Sequence, residues 1–387
     1  MLEITTTSAL EEFCSRPRQH PYVTLDTEFL RERTYYAQLC LIQMAFPEEG
    51  DQSAALIDAQ AEGLSLEPLF ELMRDTSVVK VFHAARQDLE IFWNKGKLIP
   101  TPLFDTQVAA MVCGFGEQVG YEALVRKLAR AQLDKSSRFT DWSQRPLSDK
   151  QKTYALADVT HLRTIYERLS AELKTSGRAK WVEEEMAVLT SPSTYEVEPE
   201  EAWRRVKSRN SSPAFLAVVK MLAAWRESEA QRRDIPRNRL LKDDALLELA
   251  ANKPRSVEAL GKQRLLLREA RKGPAAEAIL NAIAAGLEMP AEDRPQVPSP
   301  ENKPQVSPAL MDLLRVLLKA RAEGEGVAQK LVATSAELEA FAANYDAPNP
   351  ITQGWRKDVF GGDALALING EIGLTTLKGK IKIISLS

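Results

Sequence analysis

The run Tyr22-Val-Thr-Leu-Asp-Thr-Glu-Phe29 constrains this chain more than any other stretch, because it sets two carboxylates, Asp26 and Glu28, at the end of an apolar segment. Tyr22, Thr24, Asp26 and Glu28 alternate with Val23, Leu25 and Thr27, so an extended backbone sends both carboxylates from one face. Two anions there repel, and ionising both is costly unless a cation stands between them. Hard oxygen donors of this kind favour Mg²⁺ or Mn²⁺. The alternative is a polar strand end, which costs little in water.

A chain of 387 residues with 44% hydrophobic and 27% charged content has room for two or three globular domains. No apolar run approaches the roughly 20 residues needed to span a bilayer. The first residues, MLEITTTSALEEF, lack a basic stretch followed by an apolar core, so no secretory signal and a cytoplasmic location are expected. Cys14, Cys40 and Cys113 lack the paired spacing of zinc or disulfide frameworks and read as reduced core thiols. The net charge of −3 hides a basic stretch. From Arg204 to Lys242 there are eleven basic residues against three acidic ones, enough to hold a polyanion.

Residues 22–29, 38–46, 54–58 and 78–82 read as strands, three of them hairpin-like, in a mixed sheet. Apolar spacings of three and four predict helices over 84–93, 105–112, 121–131 and 148–173. The pattern is an α/β domain, residues 1–190, ending in a linker rich in prolines and acids at 190–201. Residues 202–289 read as a small all-helical domain with Leu216, Val219, Leu222 and Ala223 on one stripe. Prolines at 290, 295, 298, 300, 304 and 308 predict an extended spacer, and helical spacing resumes at 310–322 and 335–344 in a second helical domain, 305–387, that loosely repeats the first.

Asp88, in His83-Ala-Ala-Arg-Gln-Asp88, follows a strand and falls in the first turns of a helix, within reach of the same cleft. Tyr154 and Asp158 lie four apart, on one face of a late helix. Singly, such residues are commonly a dipole partner, a solvated aspartate or a buried tyrosine. Together they supply four carboxylates and a hydroxyl, a set suited to two-metal phosphodiester hydrolysis.

The strings DTEFLRERTYYAQLCLIQ, HAARQDLEIF, FDTQVAA, LDKSSRFTDWSQRPLSDKQ and YALADVTHL resemble the ribonuclease D family in order and spacing over residues 22–170. The resemblance implies an RNase H-like fold of the DEDDy exonuclease type, with Asp26, Glu28, Asp88 and Asp158 as metal ligands and Tyr154 orienting the attacking water. Ala37 departs from the family, which has proline in its TYYPQL string. The segment with Trp225, Arg232, Arg233, Asp234 and Pro236 resembles the family's first HRDC domain, a helical nucleic-acid-binding module, and the region after Pro308 resembles a divergent second one.

Among other residues, His83 is placed to touch substrate phosphate or to cap the strand end, and Phe29 to stack on the terminal base or to fill the core. Arg145 is placed to meet the RNA backbone or to pair with Asp141, with the structural role favoured. Gly114-Phe115-Gly116 lacks the lysine and hydroxyl residue of a phosphate loop. The resemblance implies a 3′-to-5′ exoribonuclease that releases nucleoside 5′-monophosphates, with two divalent ions, Mg²⁺ or Mn²⁺, as cofactors. Its expected partner is RNA with a free 3′ end, chiefly precursor transfer RNA, with the Arg232 and Arg233 region holding the backbone and no membrane or obligatory protein partner. Spacing leaves open a DNA 3′ exonuclease, since the chemistry does not need the 2′-hydroxyl, and a nucleic-acid-binding protein without turnover.

Overall fold

Six strands form one sheet among the described residues: β1 (Leu2–Ile4), β2 (Tyr22–Leu30), β3 (Gln38–Ala45), β4 (Ala54–Ile57), β5 (Val79–Phe82) and β6 (Leu103–Asp105), in the order β1-β4-β3-β2-β5-β6. The computed structural model describes residues 1–48, 50, 52–134, 137, 140–296 and 306–386. Its contacts divide the chain into two units, one of Met1–Glu28, Cys40–Thr194 and Pro304–Ser387, the other of Phe29–Leu39 and Tyr195–Lys303.

In the first unit β2 runs parallel to β5, and β5 parallel to β6, while β3 and β4 are antiparallel. The sheet is therefore mixed, as expected from the sequence. Strands β1 and β6 are additions, too short to show a period of two. Helices α1 (Thr7–Ser15), α2 (Glu67–Arg74), α3 (Arg86–Gly96), α4 (Thr106–Val112), α5 (Tyr121–Leu124), α6 (Asp149–Ser176) and α7 (Ala179–Leu189) complete this part of the unit. Val23, Thr24 and Leu25 are wholly buried, so β2 is covered on both faces until it reaches Asp26. Helix α6 starts at a capping box between Ser148 and Gln151 and stops at Gly177, whose φ of 71° suits a left-handed C-cap. The buried Thr24 hydroxyl reaches the Val159 carbonyl of α6 at 2.8 Å, fixing helix to strand one residue from Asp158.

The second unit packs α8 (Pro213–Arg233) with α9 (Arg237–Leu240), α10 (Asp243–Asn252), α11 (Val257–Gly261) and α12 (Gly273–Glu288). The expected stripe is its core: Leu216, Val219, Leu222 and Ala223 are buried with Leu246, Leu249 and Ile283. Gly286 lets α12 approach α8 closely, since a Cβ there would stand 2.6 Å from the Val218 Cα. Residues 29–39, which follow the acidic pair in the chain, belong to this unit. Asp234, in a left-handed conformation at the end of α8, accepts the backbone N–H groups of Tyr35 (3.0 Å) and Tyr36 (2.9 Å). That carboxylate holds the turn in which Ala37 replaces the family's proline.

The C-terminal part of the first unit holds α13 (Pro308–Glu325), α14 (Gln329–Val332), α15 (Ser335–Ala343), α16 (Gly354–Arg356) and α17 (Gly362–Ile368). Strands β7 (Ile372–Leu377) and β8 (Lys380–Ser385) then form an antiparallel hairpin, which corrects the expectation of an all-helical segment. Its turn residues Lys378 and Gly379 have φ of 51° and 77°, the handedness of a tight two-residue hairpin turn. Of the expected proline spacer, Pro298, Pro300 and Pro304 lie outside the described residues, as do Lys135, Ser136, Arg138 and Phe139 of the LDKSSRFTDW motif. The three cysteines are free thiols, Cys14 and Cys40 buried and Cys113 half-buried.

Glu227 in α8 is wholly buried at its side chain and takes the Tyr35 hydroxyl and the Arg237 guanidinium, the latter at 3.3 Å. Tyr35→Phe removes one of these donors, and the expected cost is about 1–3 kcal/mol. A lower midpoint of chemical denaturation at unchanged m-value would show it, and an unchanged midpoint would mean that the hydroxyl contributes nothing.

Candidate active site

The parallel strands place the acidic residues at one end of the sheet. Thr24 of β2 is opposite Val81 of β5, and Phe82 is opposite Asp105 of β6, so Asp26, Glu28, His83 and Asp105 gather at the C-terminal strand ends. Helix α6 adds Asp158 from across the strand. Asp26, Glu28 and Asp158 each offer a carboxylate oxygen, and these atoms lie within 4.8 Å of one another. Asp88, buried in the first turn of α3, is not one of these three; its carboxylate accepts the Thr27 hydroxyl at 2.5 Å. Tyr154 sits one turn before Asp158, with its ring 6.2 Å from that of Trp142. A cavity of about 250 Å³ is lined by Asp26, His83, Tyr121, Tyr154 and Asp158.

The electrostatics are those of anions held together. Burial, and then the Asp158 carboxylate, push the Asp26 pKa well above the ordinary range, against the pull of the Thr27 backbone N–H. Burial, Asp26, Asp158 and Asp88 raise Glu28 from 4.5 to about 9. Asp88 is raised by burial and Asp26, with the Thr27 hydroxyl opposing. Among the described residues, the charged neighbours acting on these three groups, Asp26, Asp88, Asp105 and Asp158, are all carboxylates. A hard divalent cation supplies the missing positive charge, and the all-oxygen donor set fits one.

A family model described as 3′-5′ exonuclease matches residues 1–174, and one for the HRDC domain matches residues 215–283. Ribonuclease D of Jannaschia sp. is 60% identical over 98% of this chain and 98% of its own length. Ribonuclease D of Nitrobacter hamburgensis is 48% identical over the same shares of both. The chain belongs to the ribonuclease D family. A crystal structure of Escherichia coli RNase D, an exoribonuclease involved in structured RNA processing, matches with a TM-score of 0.82 and 29% identity, covering 95% of this chain and 98% of that one. Like other members of the ribonuclease D family, the protein is a 3′-to-5′ exoribonuclease, a hydrolase of phosphodiester bonds that depends on divalent metal. No helix among the described residues is long and apolar enough to cross a membrane.

The fold treats the other expected residues unequally. His83 lines the cavity, its Nδ1 3.0 Å from the Thr106 hydroxyl, and burial lowers its pKa so that the ring is neutral at neutral pH. Phe29 begins the segment assigned to the second unit and does not line this cavity. Arg232 and Arg233 end α8, both paired with Glu229, at 2.7 and 3.7 Å. Arg145 pairs with Asp58 at 2.7 Å, not with Asp141, and also donates to the Cys40 carbonyl. Asp141 accepts from the Ser143 N–H at 2.9 Å and the Gln144 side chain at 3.0 Å.

Two supporting residues escaped the sequence reading. Asp105, which helical spacing sets at the start of a helix, ends β6 and accepts the N–H groups of Ala84 (3.0 Å), Ala85 (2.8 Å) and Gln107 (2.8 Å). It thereby holds the turn between His83 and Asp88, where Ala84 has a φ of 59°. Its place before the helix as an N-cap residue was the available signal. Tyr121 walls the cavity and donates its hydroxyl to the Ala157 carbonyl at 2.9 Å, and nothing in its local sequence marks it.

The raised Glu28 pKa sets a sign for stability. Folded, metal-free protein keeps a proton on Glu28 that the unfolded chain releases near 4.5, so this contribution falls as pH rises from 4.5 to about 9. Thermal denaturation in chelator should show this decline, flattened by added Mg²⁺ and reduced in Glu28→Gln. An identical slope in the variant would remove Glu28 as its source.

Proposed function

We propose that this exoribonuclease trims the 3′ ends of precursor transfer RNA in the cytoplasm, releasing nucleoside 5′-monophosphates. Two divalent ions, Mg²⁺ or Mn²⁺, are the cofactors, and Asp26, Glu28, Asp88 and Asp158 would hold them. The observation that carries this reading is the convergence of Asp26, Glu28 and Asp158 within 4.8 Å, beside Tyr154 in one cavity. The Escherichia coli relative, described as acting in structured RNA processing, supports the substrate class.

When bound, divalent ions would neutralise charge on the scissile phosphate and lower the pKa of water so that hydroxide is available as the nucleophile at neutral pH. The chain's own groups do the positioning. Deprotonated carboxylates are the form that can bind, so loading displaces the protons that burial and repulsion hold on Asp26, Glu28 and Asp88. The Tyr154 hydroxyl, one helical turn from Asp158, orients the attacking water. His83, neutral and tied to Thr106, is a hydrogen-bonding contact for substrate phosphate.

Within the chain we assign catalysis to residues 1–190 and the holding of upstream RNA to the HRDC-like domain, 202–289, through its basic stretch from Arg204 to Lys242. We assign residues 305–387, which group with the first unit by contact, as a second, divergent HRDC-like domain.

Nucleotide release from a 3′-extended transfer RNA and from a matched DNA strand, with Mg²⁺, Mn²⁺ or chelator, tests the reading. Asp26→Asn should lower turnover about a thousandfold or more. Tyr154→Phe should lose about a hundredfold, the scale of a misplaced reactant. Activity retained in Asp26→Asn would overturn the site, and equal or faster trimming of the DNA would overturn the substrate.

A further inference from the structure

The basic stretch from Arg204 to Lys242 is less available than its sequence suggests. Arg226 is nearly buried and bound to Asp243 at 2.7 Å and to the Leu241 carbonyl. Arg237 pairs with Glu227, Arg232 and Arg233 share Glu229, and Arg204 pairs with Glu201. Of the remaining cations, Arg205, Lys207 and Arg209 fall within five residues of one another and are exposed, with no ion pair among the described residues. Arg205 ends a 3₁₀ helix, Pro199–Arg205, and Lys207 and Arg209 lie in the loop that runs from it into α8.

That loop borders a groove of about 480 Å³, within the usual range for small-molecule sites, about 300–1,000 Å³. Buried Val206 and Leu216 give it an apolar floor, and half-buried Trp203 gives it an aromatic wall fixed against the core. Arg204 lies 5.1 Å from the Trp203 ring centroid. The loop is ordered by its own side chains. Ser208 Oγ donates to the Asn210 carbonyl at 3.0 Å and accepts the Asn210 N–H at 3.1 Å, while Asn210 Oδ1 accepts the Ser212 N–H at 3.0 Å. A rigid aromatic face beside unpaired cations is the combination that holds single-stranded nucleic acid without reading its sequence.

Building on the exoribonuclease reading, we infer that the Trp203–Ser211 groove is a subsite for single-stranded RNA upstream of the 3′ end. A base stacks on the Trp203 and Arg204 surface, and Lys207 and Arg209 meet the flanking phosphates. Arg232 and Arg233 share the one Glu229 carboxylate, which offsets half of their charge, so they contribute less than Lys207 and Arg209.

The test uses the full chain and a fluorescent oligouridylate of about 16 nucleotides, the upper end of single-strand site sizes. Binding is measured in chelator at several salt concentrations, and turnover of a diuridylate is measured separately with Mg²⁺, so failure of the groove and failure of the nuclease reading appear in different measurements. Lys207→Gln with Arg209→Gln should weaken binding about tenfold and reduce the log–log salt slope by about 1 to 1.5, as expected for two lost phosphate contacts. Diuridylate turnover should be unchanged. Arg232→Gln with Arg233→Gln should weaken binding and lower the slope less than the Lys207/Arg209 change does. Trp203→Phe, which keeps a ring against the core, should abolish most of the tryptophan quenching caused by the RNA. Wild-type affinity in the Lys207/Arg209 variant, or a larger loss in the Arg232/Arg233 variant, would overturn the assignment.

Discussion

Mutual repulsion among carboxylates at one end of a buried sheet is the constraint on which the remaining architecture depends. Asp26, Glu28 and Asp158 bring oxygens within 4.8 Å, and Asp88 adds its charge to theirs. Left to itself, such a cluster would relax by moving side chains apart. Rigid neighbours prevent this: β2 is buried on both faces up to Asp26, the Thr24 hydroxyl fixes α6 one residue from Asp158, and Asp105 holds the turn before Asp88. The metal-free site answers by retaining protons. Cations bound there would remove the same stress, which would link folding, protonation and metal loading at this one place.

How much of this was legible in the sequence depended on how local each relation is. Asp26 and Glu28 share a strand face, and Tyr154 and Asp158 share a helix face, so their spacing alone predicted their convergence. The central strands and long helices carried their periods openly, and the stripe through Leu216 and Leu222 became a core. Relations between distant segments were not legible. The partner of Arg145 is Asp58 rather than the nearby Asp141, and the role of Asp105 exists only because β6 pairs with β5. In the C-terminal hairpin, Lys380, Lys382 and Ile381, Ile383 alternate with a period of two, but helical spacing upstream dominated the reading.

Charge shows the same limit in the second unit. A count along the chain treats each arginine as available to a ligand, whereas folding pairs several of them internally, most completely Arg226. What is left to meet RNA is set by which cations lack partners after folding. The acidic residues show the complementary case: Glu227 and Asp234 are spent on Tyr35, Tyr36 and Arg237, ordering the segment that follows the acidic strand in the chain.

The proposed cation site is kept protonated until it is filled. Calorimetric titration of Mn²⁺ into the full chain, repeated in buffers of different ionisation enthalpy, measures affinity and proton release together. The account predicts saturable binding with net release of protons, both largely lost in Asp26→Asn. Equal binding by the two proteins, or binding without proton release at neutral pH, would contradict it.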